Sequence, residues 1–428
     1  MKILCTADIH IGRRPSRLPL HVDSGPLSCA RAWTALVERA IAERVDLVAI
    51  AGDLVDEANR FYEAAGPVEA GVRTLVSHGI RTVAVAGNHD HDILPWIADR
   101  FEPHEFALLG RGGRWDRLTL EEGGGPVLHV DGWSFPAGSH RDDPLTEYPR
   151  RAADGVPILG LLHADLDQPG SRHAPIRLAT LCALPVGFWL LGHVHRFAFR
   201  EQPGASSVLY PGSPQAMDPG EGGPHGVWLV EMDAGHRFSA RQLPLSLVRY
   251  DLLEIDVTGA EEELELDRRV HDAVTAELRR LVEEGSGPLL YLSLRLRLTG
   301  RTSLHGWLQK RDKSFAADLE SRHRGVVALV ERVEVATRPL ANLEALARGQ
   351  DAAGVLARLA LGLTKGGLDE EQESLLQGAL TRAAELRGAR PYLGLDDEWT
   401  PTQAEVSSVL GEHALLLLDQ LLGQKEMA

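Results

Sequence analysis

Five short apolar runs in the first half of the chain each stop at a polar motif, and this pattern constrains the fold more than any other feature. Ile3 to Ala7 leads into Asp8-Ile9-His10, Asp46 to Ala51 into Gly52-Asp53, and Thr82 to Ala86 into Gly87-Asn88-His89-Asp90. Pro157 to Leu162 ends at His163, and Phe188 to Leu191 at Gly192-His193-Val194-His195. Between the first three runs, Ala30 to Ala42 and Ala64 to Val76 show the apolar spacing of helices. Strands alternating with helices predict an α/β sheet with helices on its faces. In such sheets ligand sites collect beyond the carboxyl ends of the strands, so the polar loops are expected to converge on one rim.

After Asp92 the helical pattern thins. Val127 to Val130, Val208 to Tyr210 and Val227 to Val230 are expected strands in Gly/Pro-rich surroundings. Near Tyr250 the character changes. Leu252 to Val257 predicts a strand, Glu261 to Glu284 a charged amphipathic helix, and Val326 to Val335 another strand. Leu292, Leu294, Leu296 and Leu298 alternate with Ser293, Arg295 and Arg297, the pattern of a half-buried strand. From Leu340 onward the chain is helix-forming except for Gly388 to Pro401, and a last helix from Gln403 to Leu422 carries many leucines. A chain of 428 residues exceeds a single core. The expected organisation is a catalytic domain over 1–250, an α+β capping domain over 251–340 and a helical region over 341–428 suited to docking a partner.

The motif residues are carboxylates, imidazoles and one amide, with no thiolate. That donor set suits manganese, iron, magnesium or zinc in octahedral or near-octahedral sites. Seven groups, Asp8, His10, Asp53, Asn88, His163, His193 and His195, are too many for one ion with an open position. They suit two ions sharing a carboxylate, about 3.5–4 Å apart, acidifying a bridging water and clamping a phosphate. Alone, Asp-x-His or Gly-Asp is a common loop end. Gly-His-x-His is more telling, because alternation along an extended strand points both imidazoles the same way. All five in order point to a metal site.

The whole set resembles the calcineurin-like metallophosphoesterases. The resemblance implies a β-sandwich flanked by helices. It implies Asp8, His10, Asp53 and His195 on one metal, and Asn88, His163, His193 and the shared Asp53 on the other. It makes His89 the general acid and transition-state stabiliser opposite a metal-bridging hydroxide. Thr6-Ala7-Asp8-Ile9-His10-Ile11-Gly12-Arg13, His173-Ala174-Pro175 and Tyr210-Pro211-Gly212-Ser213-Pro214-Gln215 are similar to the SbcD-type DNA repair nucleases. Arg295 to Thr302, Leu304-His305 and Thr337-Arg338-Pro339-Leu340 are similar to the YhaO-type branch. The resemblance implies a DNA exonuclease or endonuclease using two divalent ions, manganese foremost, with an SMC-like coiled-coil ATPase partner. A homodimer is compatible with it.

One departure stands out. Three residues after the bridging aspartate, SbcD-type nucleases usually place a histidine, whereas this chain has Asp56. Phosphatases and several phosphodiesterases of the superfamily have aspartate there. An Asp56–His89 pair is expected to orient the imidazole and raise its pKa. It also leaves open a smaller nucleotide or other phosphoester as substrate. Arg13 and Arg14 follow the first motif and are candidate phosphate contacts, though arginine is abundant, making up 40 of 45 basic residues. Arg141, Arg150 and Arg151 are candidates for a groove border. Trp96, Trp133 and Trp189 are expected in the core.

Charge and cysteine content bound the rest. A formal net charge of -16 excludes binding nucleic acid by global charge, so a DNA substrate has to be held by a local patch or by metal ions. Three widely spaced cysteines predict a reducing compartment. With no apolar run long enough for a bilayer and no signal-peptide pattern, the expectation is cytoplasmic, without membrane association.

Overall fold

The computed structural model describes the chain except residues 19–21, 57–63, 150, 202–205, 286, 312–318, 341, 388–401 and 428. In chain order the first part runs β1 (Lys2–Thr6), α1 (Cys29–Glu43), β2 (Leu47–Ala51), α2 (Ala65–Ser77), β3 (Arg81–Val85), α3 (Leu94–Ala98), β4 (Phe106–Leu108), β5 (Trp115–Glu122), β6 (Gly125–Trp133) and β7 (Ile158–His163). It continues with α4 (Leu178–Cys182), β8 (Phe188–Gly192), β9 (Ala198–Arg200), β10 (Ser207–Tyr210), β11 (Gly226–Met232) and β12 (Phe238–Pro244).

These strands make two six-stranded sheets, in the orders β12-β11-β1-β2-β3-β4 and β5-β6-β7-β8-β10-β9. Side-chain alternation explains why the sheets stack. Ile3 and Cys5 of β1, Leu47 and Ala49 of β2, and Val83 and Val85 of β3 face inward and share one core with Leu159, Leu161, Phe188 and Leu190 of the second sheet. The alternate residues Leu4, Val48, Ile50 and Ala84 turn the other way, onto Trp33, Leu36 and Val37 of α1 and Val68, Val72 and Leu75 of α2. On the far side of the second sheet Leu162, Trp189 and Leu191 pack with Tyr148 and Leu181. The sandwich therefore has three apolar layers, each built chiefly by central strands buried on both faces. Ser28 caps α1 through its hydroxyl, which accepts from the Arg31 backbone amide, and Arg44 closes the helix in the left-handed region at φ 54°.

The second part runs β13 (Val248–Asp256), α5 (Glu263–Glu283), β14 (Tyr291–Thr299), β15 (Arg301–Thr302), α6 (His305–Lys310), β16 (Glu320–His323), β17 (Val326–Val335), β18 (Arg338–Pro339), α7 (Leu343–Leu346), α8 (Ala352–Lys365), α9 (Glu370–Arg387) and α10 (Gln403–Met427). Four of its strands form a sheet in the order β13-β14-β17-β16. Leu292, Leu294, Leu296 and Leu298 are fully buried, as their alternation predicts. By its contacts the chain divides into two units. One comprises Met1–Leu253, His271–Leu296 and Lys313–Glu334; the other comprises Glu254–Val270, Arg297–Asp312 and Val335–Ala428. In the second unit α8 and α10 pack through Ala353, Ala357 and Leu418, and Arg301 and Arg338 both reach Asp419, at 2.9 and 3.5 Å.

Trp133 and Trp189 lie in the core, but Trp96 does not. It is 40% exposed, with the Arg100 guanidinium 3.8 Å from the centre of its ring. The indole keeps an apolar contact by stacking under a cation at the surface. Arg150 and the segment 388–401 lie outside the described residues. Among the described residues no helix is long and apolar enough to cross a membrane.

Candidate metal centre

Strands β1, β2 and β3 run parallel to one another, as do β7 and β8. Their carboxyl ends therefore carry Asp8, Asp53, Asn88, His163 and His193 to one rim. The loops there are locked by main-chain bonds: the amides of Asp8, His10 and Ile11 donate to the carbonyls of Gly52, Asp53 and Leu54 at 3.1, 3.0 and 2.9 Å. Asp8, His10, Asp53 and His193 all have positive φ, at 53°, 52°, 52° and 95°. Each such residue costs about 1–3 kcal/mol, a strain that concentrates at functional sites. Close approach adds a second constraint. A Cβ on Gly87 would lie 2.2 Å from Asp53 Oδ1, and one on Gly192 would lie 1.9 Å from the Ala51 carbonyl oxygen.

The ligand atoms of the rim face one another at close range. His163 Nδ1 donates to the Ala51 carbonyl oxygen at 2.9 Å. In the neutral ring Nε2 then carries a lone pair, and it points at two further acceptors, Asn88 Oδ1 at 3.1 Å and Asp53 Oδ2 at 3.3 Å. The same situation recurs one step away. His195 Nδ1 donates to Glu221 Oε1 at 2.6 Å, and His10 Nδ1 donates to Asp56 Oδ1 at 3.2 Å. Their Nε2 atoms then meet at 3.1 Å, where two neutral rings would set lone pair against lone pair. Asp8, His10 and His195 form one potential ligand group, and Asp8, Asp53 and His163 another. Oxygen and imidazole donors in this arrangement fit divalent cations.

The electrostatics point the same way. Burial opposes a charge on His163, but the Asp53 carboxylate outweighs it and pushes the pKa up to about 9. Burial also opposes the Asp53 charge, yet His163 and His10 hold its carboxyl well below the usual range. Burial, then the His163 and His173 charges, push His193 down to about 3, so that ring is neutral.

His89 lies at the edge of the cluster with its ring half-exposed. Its backbone amide donates to Asp53 Oδ1 at 2.9 Å, and its ring meets that of His10 edge-on at 4.9 Å. Asp56 Oδ1 is 3.5 Å from His89 Nδ1 and nearer to His10 Nδ1, so Asp56 sits between the two imidazoles. The net effect on His89 is the reverse of the sequence expectation. Asp53 and Asp56 raise its pKa, but burial is the larger influence and, with the His10 charge, lowers it. Arg13 is half-buried and acts electrostatically on His195, whereas Arg14 is exposed. Arg151 is drawn to Asp131 at 3.2 Å.

Three contributors escape sequence reasoning. Asp90, the last residue of a motif, accepts from the amides of Gly87 at 2.8 Å and Leu54 at 2.7 Å, tying two rim loops together. Glu221 holds His195 from a loop with no periodicity. Asp165 lies 3.5 Å from His193, so that His193 forms a third potential ligand group with Asp165 and His173.

The oxygen and imidazole donors at the carboxyl ends of these parallel strands form a site suited to divalent cations. Residues 1–197 match the calcineurin-like phosphoesterase family, and residues 250–338 match the middle domain of metallophosphoesterase YhaO. The chain carries a calcineurin-like metallophosphoesterase domain, with YhaO and Mre11 homologues. It is 28% identical over 265 residues to the uncharacterized metallophosphoesterase YhaO of Bacillus subtilis strain 168, across 59% of this chain and 63% of that protein. It is 28% identical over 232 residues to the DNA double-strand break repair protein Mre11 of Aeropyrum pernix, across 51% of this chain and 54% of that one. The chain thus spans between half and two thirds of these relatives' lengths. Among solved structures, that of TT1561 from Thermus thermophilus aligns with a TM-score of 0.35 at 16% identity, covering 56% of this chain and 98% of that one.

Proposed function

We propose that the chain is a two-metal phosphodiesterase whose substrate is DNA. The observation that carries the two-metal reading is the pair of clusters in which ligand atoms converge, His163 Nε2 on Asn88 Oδ1 and Asp53 Oδ2, and His10 Nε2 on His195 Nε2. Asp8, His10, Asp53 and His195 would hold one ion, and Asn88, His163, His193 and Asp53 the other. Divalent ions there would polarise a phosphoryl oxygen and acidify a water. The protein's own part would be to hold four imidazoles in place, to offer the Asp53 carboxylate to both clusters and to present His89. The His89 ring, anchored through its main-chain amide, is the group we assign to protonate the leaving oxygen.

The choice of DNA is supported by the Mre11 relatives, named for DNA double-strand break repair. On this reading 1–250 is the catalytic domain, 251–340 a cap, and 341–428 the place where an SMC-like ATPase would dock. Manganese is the ion we would supply first. Asp56 favours a second reading, a small nucleotide or other phosphoester, because it stands where SbcD-type nucleases usually have histidine.

The test is manganese-loaded protein and its His89→Ala variant on end-labelled linear DNA, single- and double-stranded. Cleavage by the wild type, reduced about 10²–10⁴-fold in the variant, supports the proposal. Hydrolysis of a chromogenic phosphodiester without DNA cleavage shifts the substrate to a small phosphoester.

A further inference from the structure

Three imidazoles of the rim commit the same atom to an outside acceptor. Nδ1 of His10 donates to Asp56 at 3.2 Å, Nδ1 of His163 to the Ala51 carbonyl at 2.9 Å, and Nδ1 of His195 to Glu221 at 2.6 Å. Each therefore turns Nε2 inward. His193 is reversed: its Nε2 faces the outside acceptor, Asp165 Oδ1, at 3.5 Å.

Asp165 is built to hold that position. Its other oxygen, Oδ2, accepts from the Ser171 hydroxyl, and Ser171 Oγ accepts from the His173 amide at 3.0 Å. The Asp165 amide donates to the His173 carbonyl at 2.9 Å, and the Ile176 amide donates to the Asp165 carbonyl at 2.9 Å. The loop thereby closes on itself around the carboxylate. His193 is pinned at its main chain, where its amide donates to Asp8 Oδ1 at 3.0 Å and Oδ2 at 3.1 Å. The His173 ring lies 4.5 Å from the His193 ring. The remaining freedom of His193 is rotation and tautomer, and a carboxylate opposite Nε2 favours the tautomer with the hydrogen on that nitrogen.

We propose that Asp165 is a positioning residue for His193: it holds the Nε2 hydrogen, presents Nδ1 to the cluster, and so governs occupancy of one of the two metal positions and not the other. This inference rests on the two-metal reading above. A carboxylate behind a ligating imidazole is worth about 10–100-fold in metal affinity.

The test is calorimetric titration of manganese into the stripped full-length protein. Wild type is expected to bind two equivalents. Asp165→Asn keeps the shape but reverses the donor; it should leave one equivalent at wild-type affinity and weaken the other about 10–100-fold. His193→Ala should weaken the same equivalent. Ser171→Ala should do so to a smaller degree, and it decides the matter if circular dichroism shows Asp165→Asn unfolded. Wild-type affinity at both positions in these Asp165 and Ser171 variants overturns the proposal, as does equal weakening at both. A third wild-type equivalent that disappears in His173→Ala also overturns it, because the trio would then be a metal site in its own right. A wild type that binds no manganese instead fails the two-metal reading itself.

Discussion

At the scale of single residues, Asp53 joins the two clusters. Its Oδ2 lies 3.3 Å from His163 Nε2 and 3.8 Å from His10 Nε2, while its Oδ1 accepts the His89 amide at 2.9 Å. Behind it, each imidazole depends on an outside acceptor. Glu221 is the strongest case, at 2.6 Å from His195 Nδ1 and with its Oε2 accepting from the Met217 amide at 2.7 Å. Replacing Glu221 by Ala frees the His195 ring to rotate and change tautomer. Manganese affinity should fall about 10–100-fold, measured by titration, while the circular dichroism spectrum stays that of the wild type. The motif residues were legible because each sits where an apolar run stops. Glu221 was not, because it lies 26 residues from His195 in a loop rich in glycine and proline. The sign of the His89 shift was also out of reach, since it depends on burial and on the His10 charge, which sequence spacing does not supply.

At the scale of elements, the rim exists because parallel strands end at the same level and glycines let them close. Gly192 is the tightest point, its absent Cβ leaving room for the Ala51 carbonyl oxygen and for His163 Nδ1, which would lie at 1.9 and 2.6 Å. Gly192→Ala therefore has to push β8 from β2 or displace His163. The expected cost is about 1–3 kcal/mol or more, read from chemical denaturation, together with weakened metal binding. The central strands were visible as apolar runs because both their faces are buried. Strands β5 and β12 left no such run: they lie at sheet edges, with one residue in each fully buried and the rest half-buried or exposed. Edge strands facing water on one side lack the continuous apolar signal. Trp96 misled for a related reason, since a surface indole under Arg100 has the same composition signal as a core one.

At the scale of the whole molecule, a net charge of -16 would have to meet a polyanion if the substrate is DNA as proposed. Cations at the rim would relieve that repulsion locally, and their removal should be felt in stability. In the stripped protein a proton on His163 supplies the missing charge, with a pKa raised to about 9 from the free value of about 6.5. A raised histidine pKa stabilises the fold fully below about pH 6.5 and loses that contribution as pH rises through about 9. The melting temperature of stripped protein should therefore fall between pH 7 and about pH 9.5 by more than that of manganese-loaded protein. Calorimetric melting of both forms across that range checks it. Parallel curves for the two forms would mean that His163 and the metal do not fill the same place.

The central claim, a phosphodiesterase whose site needs two cations, is tested most directly by adding manganese stepwise to stripped protein and following hydrolysis of a chromogenic phosphodiester. The rate should rise to a plateau at two equivalents and stay near background in Asp53→Asn, which loses the shared carboxylate. Full activity without metal, or a plateau at a single equivalent, would contradict the account.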